Sequence, residues 1–268
     1  MKRLSVAHLT ALDLQPKTLA REAGRAGFTH VGLRLHPAMK GGIAYPLRSG
    51  TSGMTELLTV LNNEGVGVND IEFVELAPDV DIASFEWLLE SGAELGASSL
   101  TVSGDDPDFT RLASNFSALC ELATPYGVRI NIEFMRWRQV ANLQHAAALI
   151  EATAKSNAGI LVDTLHLFRA GNTSDDLGGL NPAWLADVQL CDAPLTAPAA
   201  DLIIQEAREG RLLPGDGALP LADLILKLPR DVRYSVETPV KGLSNGERLS
   251  RGAASVLQSA LSAHLYPG

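Results

Sequence analysis

Ile130-Asn131-Ile132-Glu133, Ile160-Leu161-Val162-Asp163, Asp187-Val188-Gln189 and Tyr234-Ser235-Val236-Glu237 decide the fold. Each is a short apolar or β-branched run of strand character that delivers an oxygen donor at or near its end. Three carboxylates and one amide in such surroundings are costly to bury singly. They make sense if the strands lie side by side and their ends converge on a divalent cation, an arrangement that points to an enzyme.

Working outward, the chain alternates short apolar runs with amphipathic stretches. The pattern predicts strands over Leu4–Leu9, His30–Leu35, Gly67–Val74, Ser99–Val102, Val128–Phe134, Gly159–Asp163, Asp187–Cys191 and Arg233–Glu237. It predicts helices near Pro16–Ala26, Thr51–Glu64, Ile82–Leu95, Phe109–Thr124, Asn142–Lys155, Leu221–Lys227 and Glu247–Ala263, and a short helix between Gly171 and Ala186. Gly27, Gly65 and Gly96 stand where helix C-termini want a left-handed residue, and Pro16 suits a first turn. Alternating βα units imply parallel strands with helical crossovers. Eight of them in 268 residues predict one (β/α)8 TIM barrel spanning 1–268. An open doubly wound sheet is the competitor, but no glycine-rich phosphate turn follows the first strand.

In such a barrel the active site lies at the C-terminal ends of the strands. Polar residues collect there: His8, Arg34, His36, Glu72, Glu75, Ser103, Asp105, Asp106, Glu133, Arg136, Trp137, Arg138, Asp163, His166, Gln189, Asp192 and Glu237. The opposite ends are expected to carry fewer. His145 and His264 read as surface residues, and His30 starts a strand at the wrong end for catalysis.

A net charge of −9 and a pI near 5.1 argue against nucleic acid as a partner. No apolar run approaches the roughly 20 residues of a membrane span, and His8 and Asp13 interrupt the N-terminal apolar stretch too early for a signal peptide. Cys120 and Cys191 are far apart and lack metal-type spacing, as expected of reduced thiols in a cytoplasmic protein. The expected partner is a small hydroxy-carbonyl substrate, and a homodimer or higher homo-oligomer stays open.

Glu133, Asp163, Gln189 and Glu237 offer oxygen only, which favours Mg²⁺, Mn²⁺ or Co²⁺ with Zn²⁺ tolerated. A cation there would polarise a substrate carbonyl as a proton leaves the neighbouring carbon. Glu133, Glu237 and His166 are the candidate catalytic groups; His166, three residues beyond Asp163, suits hydrogen bonding or proton transfer at neutral pH. Candidate substrate-binding residues are His8, Arg34, His36, Glu72, Trp137, Arg208 and Arg211. The last two belong to Glu206-Ala207-Arg208-Glu209-Gly210-Arg211-Leu212-Leu213-Pro214-Gly215-Asp216-Gly217, a long insertion after strand seven whose Pro-Gly-Asp-Gly end forces a turn.

At Ile132-Glu133, Val162-Asp163-Thr164-Leu165-His166, Val188-Gln189-Leu190-Cys191-Asp192, Arg211-Leu212-Leu213-Pro214-Gly215-Asp216-Gly217 and Val236-Glu237 the sequence resembles the xylose isomerase-like TIM-barrel superfamily. The resemblance covers essentially the whole chain. It implies metal ligation by Glu133, Asp163, Gln189 and Glu237, and substrate contacts from His166 and Arg211. It implies a divalent-metal-dependent sugar or sugar-phosphate isomerase or epimerase. A 3-dehydroshikimate dehydratase-like or inosose dehydratase-like lyase is the alternative, and a non-catalytic small-molecule-binding barrel the third reading. Sugar epimerases of the group usually carry His at the strand-seven position. Gln189 and Trp137 look more like the bacterial 3-dehydroshikimate dehydratases. DNA-repair endonucleases share the barrel, but their several zinc ions need more histidines than fall at strand ends here.

Overall fold

Eight parallel strands pair in chain order and close on themselves in the computed structural model, which describes residues 3–257. They are β1 (Leu4–Val6), β2 (His30–Arg34), β3 (Gly67–Leu76), β4 (Ser99–Gly104), β5 (Arg129–Glu133), β6 (Ala158–Asp163), β7 (Leu185–Leu190) and β8 (Arg233–Val236). The helices are α1 (Pro16–Ala26), α2 (Ser52–Glu64), α3 (Glu86–Glu94), α4 (Phe109–Ala123), α5 (Leu143–Thr153), α6 (Thr164–Arg169), α7 (Ile203–Glu209), α8 (Leu221–Lys227) and α9 (Asn245–Leu257). The expected single (β/α)8 barrel is therefore the fold. The end of the expected helix Glu247–Ala263, and His264, lie outside the described residues.

Local chemistry starts and stops these elements. Side-chain oxygens of Thr51, Asp108, Asn142 and Asp163 accept first-turn N–H groups of α2, α4, α5 and α6. Gly27, at φ +98°, closes α1 in a conformation that an L side chain rarely adopts. The core lies between the outer strand faces and the inner helix faces, where Val31, Leu33, Leu57, Leu100, Phe116, Ile130 and Leu149 are buried.

Some expected boundaries shift. The predicted helix Ile82–Leu95 begins as a 3-10 turn, Ile82–Phe85, before α3. Strand one stops at Val6, because the next turn, His8–Ala11, is already 3-10. The stretch from Gly171 to Ala186 forms two 3-10 turns, Ser174–Gly179 and Pro182–Trp184, instead of a short α-helix. The insertion after strand seven, over which no helix is predicted, begins inside α7, which carries Arg208 in its last turn.

The expectation that the lower strand ends are poor in polar groups is corrected. Asp187 accepts from Arg233 Nε at 2.8 Å and Nη2 at 2.5 Å, and from Asn131 Nδ2 at 2.6 Å. Ser99 Oγ and Asn69 Nδ2 add longer contacts. Gly32 makes room for the neighbouring acid, since a Cβ there would sit 2.9 Å from Asp70 Oδ2. A parallel strand in a small barrel presents alternate residues to the interior, and here the inward set is polar.

Removing the centre of this network should be expensive. Asp187→Ala leaves Arg233 and Asn131 without their acceptor, and we expect a loss of about 3 kcal/mol. That is the low end for a broken buried ion pair, because the Arg233 side chain still reaches solvent. Urea unfolding checks it, and a loss below about 1 kcal/mol would contradict the assignment.

Candidate active site

Asp163 ends β6 and caps α6 in one step. Its Oδ1 accepts the His166 backbone N–H at 3.0 Å, so the Asp-x-x-His spacing is a capping geometry that sets His166 on the first turn above the barrel. Glu133 ends β5, and His166 Nε2 lies 3.7 Å from its Oε1. Ligating atoms of Glu133, Asp163 and His166 all come within 4.8 Å of one another, and all three residues are buried. Trp137 holds the His166 ring edge-on, with centroids 5.1 Å apart.

Arg211 ties the acids together. Its Nη1 donates to Asp163 Oδ2 at 2.5 Å, its Nη2 lies 2.9 Å from Glu237 Oε2, and its Nε donates to the Ala207 carbonyl at 2.8 Å. The segment carrying it is pinned to the end of β7. Asp192 and Leu212 exchange backbone hydrogen bonds, while the Asp192 carboxylate accepts from the N–H groups of Ala193, Gly215 and Leu219. Gly217 packs so close to Asp192 and the Ala193 carbonyl that any Cβ would collide with them. Asp192 is thus a positioning residue for Arg211.

Gln189 Nε2 donates to Glu237 Oε1 at 3.1 Å, while its Oε1 is buried with no partner among the described residues. Gln189 separates the floor of the site from a cavity of about 10 Å³ in the barrel interior, walled by Asp70, Thr101, Asp187 and Ser235. Arg34 Nη2 donates to Glu72 Oε2 at 2.6 Å, and Arg34 Nε and Glu72 Oε1 stay buried without partners.

Above these groups opens a pocket of about 360 Å³. Glu133, Glu237, His166, Arg34, Glu72, Trp137, Arg208 and Arg211 all line it. Two expected substrate contacts do not. His8 is buried, with Nε2 against the Leu14 carbonyl and Nδ1 accepting the Arg34 N–H, so both ring nitrogens serve the backbone. His36 has Nδ1 on the Phe73 carbonyl and packs on Phe85. Sequence reasoning does not single out Leu9, Leu12, Met39, Ile43, Phe73 and Met135, which form the apolar walls; all but Phe73 of β3 lie in turns and loops, where apolar residues carry no periodic signal.

Electrostatics divide the acids. Burial pushes the Glu133 carboxyl well above its ordinary range, and the charges of Glu237 and Asp163 push it further. Burial raises Glu237 to about 8, although Arg211 opposes the rise. Burial also works against the Asp163 carboxylate, yet Arg211 and His166 hold it below its ordinary range. His166 falls to about 4, chiefly through burial, and is neutral.

The donor set fits a divalent cation. Four buried carboxyl groups, Glu72, Glu133, Asp163 and Glu237, meet two buried guanidiniums, Arg34 and Arg211, so full ionisation would leave an excess of two negative charges, which a divalent cation would balance. The unpartnered Gln189 Oε1 is a further oxygen donor beside Glu237.

A parallel eight-stranded barrel with an acid-rich site at its C-terminal face defines the class. The family model described as a xylose isomerase-like TIM barrel matches residues 20–260, and the chain belongs to that family. A 3-dehydroshikimate dehydratase of Pseudomonas aeruginosa is 28% identical over 145 residues, 53% of this chain and 22% of the relative. An inosose isomerase of Halalkalibacterium halodurans is 29% identical over 119 residues, 44% of this chain and 40% of the relative. The matches thus span less than half the length of either curated relative. Among solved structures, the IOLI protein with a bound zinc atom superposes with a TM-score of 0.79 at 17% identity, covering 99% of this chain and 100% of that one. A probable 3-DHS dehydratase, AsbF of Bacillus anthracis, gives 0.78 at 15% identity, covering 96% and 99%. No helix among the described residues is long and apolar enough to cross a membrane.

The raised acids fix a pH dependence. Glu237 holds a proton in the native state that the unfolded chain releases, so its contribution is full below pH 4.5 and is lost as pH rises to about 8. Asp70, raised to about 7 chiefly by burial, behaves the same way from 3.8 upward. Buried neutral His166 and His30 act oppositely, but their gain is complete by pH 6.5. The melting temperature of chelator-treated protein should therefore fall between pH 6.5 and 8, and Mn²⁺ should lessen the fall by favouring ionised Glu237. A rise over that interval without metal would contradict the assignment.

Proposed function

We propose that this chain is a divalent-metal-dependent isomerase or epimerase that moves a proton at the carbon next to the carbonyl of a small hydroxy-carbonyl compound. One observation carries the reading: two buried acids with raised proton affinity, Glu133 and Glu237, face the same pocket. An acid–base pair for near-neutral pH needs carboxyls shifted in that direction. Glu133, Asp163, Gln189 and Glu237 are the residues that would hold the cation, with His166 beside them. When bound, it supplies Lewis-acid polarisation of the carbonyl.

The remaining roles belong to side chains. One glutamate accepts the proton at a carboxylate oxygen, and the other returns one to the opposite face or the adjacent carbon. Neutral His166 offers Nε2 to a substrate hydroxyl, its ring held by Trp137. Arg211 keeps Asp163 ionised and fixes Glu237. Trp137 shields one side of the His166 ring. The acidic net charge supports a small-molecule partner over nucleic acid, and the metal ions proposed are Mn²⁺, Mg²⁺ or Co²⁺ before Zn²⁺.

A dehydratase is the second reading, and Gln189 favours it, together with the similarity to a curated 3-dehydroshikimate dehydratase. Both reactions begin with the same proton abstraction, and dehydration then expels a β-hydroxyl. A panel of ketoses, inososes and 3-dehydroshikimate, incubated with Mn²⁺ in D₂O and followed by proton NMR, separates them. Deuterium at the α-carbon with the hydroxyls kept supports the isomerase, and loss of water supports the dehydratase. Neither change in any compound would favour the non-catalytic barrel.

Two sets of variants test the roles. Glu133→Gln and Glu237→Gln should each lower turnover about a hundredfold or more, with melting temperatures within about five degrees of wild type when metal-free. Wild-type rates in either would remove it from the mechanism. Gln189→His should raise Zn²⁺ binding relative to Mn²⁺ in a competition titration, because imidazole suits the softer ion. An unchanged preference would exclude Gln189 from the ligand set.

A further inference from the structure

The pocket has two zones, and the proposed chemistry uses only the floor. Beyond Glu133, His166 and Glu237 the walls turn apolar, with Leu9 and Leu12 from the turn after β1, Met39 and Ile43 from the segment between β2 and α2, and Phe73 and Met135. Met39 and Ile43 are about half exposed, at 48% and 50%. Tyr45 holds that segment in place, with Oη donating to the Leu12 carbonyl at 2.9 Å and N–H to the Arg34 carbonyl at 2.8 Å. Large apolar side chains kept at a pocket mouth mark a surface that a ligand covers.

The pocket does not end at that mouth. A second cavity, of about 350 Å³, shares Leu9, Leu12, Ile43, Arg208 and Glu209 with the first, and adds Asp13, Pro239, Lys241 and Arg248. The two chambers are therefore contiguous across an apolar sill.

Charge identifies what lies beyond the sill. Four arginines line the main pocket, and three already have acidic partners: Arg34 with Glu72, Arg138 with Glu75 and Asp105, Arg211 with Asp163 and Glu237. Arg208 has no acidic partner among the described residues, and it lines both chambers. The acids near it are occupied. Glu209 pairs with Lys241 at 3.3 Å, and Asp13 accepts from Asn245 at 2.9 Å. Arg248 donates to the Val240 and Thr10 carbonyls.

We infer that the sill and Arg208 form an outer subsite for the far end of an elongated substrate: an apolar segment across Leu9, Leu12 and Ile43, ending in a carboxylate or phosphate at Arg208. The inference rests on the proposed metal-dependent reading of the floor, which takes the reacting hydroxy-carbonyl end. A free polyhydroxylated sugar would leave both the apolar sill and this cation unmatched.

Hydroxamates test it, because their paired oxygens chelate divalent metals as a hydroxy-carbonyl does. Isothermal titration of the Mn²⁺-loaded protein compares acetohydroxamate, hexanohydroxamate, and six-carbon and longer homologues ending in carboxylate or phosphonate. The apolar tail should tighten binding about tenfold or more over acetohydroxamate, since each buried methylene contributes several-fold. The anionic terminus should add about threefold or more, and the tighter of carboxylate and phosphonate identifies the natural end group. Arg208→Gln should remove only the gain from the anion, and Ile43→Ser only part of the gain from the tail. Both positions are solvent-exposed, so both variants should fold.

Acetohydroxamate binding without any gain from tail or anion would overturn the outer subsite and leave the metal-site reading intact. If no hydroxamate binds, that reading fails and hexanoate decides the subsite on the metal-free protein. Binding that Arg208→Gln abolishes supports it, and no binding overturns it.

Discussion

The guanidinium of Arg211, held between Asp163 and Glu237, is the interaction on which the site depends. Carboxylates at the ends of neighbouring parallel strands repel one another in surroundings that screen little. One acid is kept ionised by Arg211, while Glu133 and Glu237 meet the problem by holding protons more tightly. The floor therefore contains one fixed negative charge and two that appear on demand. A divalent cation bound there would displace those protons, and a carboxylate freed in this way could then take a proton from a substrate, so that on the proposed reading metal binding and acid–base chemistry are linked.

The scaffold keeps this balance by fixing the charged groups from several directions. Asp163 is both strand end and helix cap, so it cannot swing without opening the first turn of α6. Arg211 is held through the Asp192 carboxylate, which accepts three backbone N–H groups of its own turn and the following segment. Below them, Asp187 and its partners make the barrel interior a second polar layer. Gln189 lies between the two, bonded upward to Glu237 and bordering the interior cavity. The acids thus stand above a polar layer with its own hydrogen bonds, and Gln189 fixes Glu237 from below.

Much of this was legible in the sequence because period and spacing encode it. The eight strands followed from alternating apolar runs, and four oxygen donors at strand ends fell where barrel anatomy places an active site. His8 and His36 misled, because a histidine at a strand end looks the same in sequence whether it meets substrate or caps a backbone carbonyl. The polar barrel interior was missed for a related reason. Asp70, Asp187 and Arg233 sit in otherwise apolar strands, and only the closed barrel shows that they meet. Arg211 reads from sequence as a substrate contact, whereas its pairing with two acids depends on the Asp192–Leu212 bridge, which joins residues twenty apart.

Proton abstraction beside a carbonyl needs a few acids at fixed separations, and the ends of closed parallel strands provide that rigidity. Recognition of the rest of a substrate falls to the segments after β1 and β2 and to α7, which are free to vary because the barrel does not need them to close. In this chain those segments present apolar side chains and Arg208, which has no acidic partner among the described residues. On the proposed reading the reaction class would therefore be written in strand ends, whereas the far end of the substrate would be read by Leu9, Leu12, Ile43 and Arg208, which the barrel itself leaves unspecified.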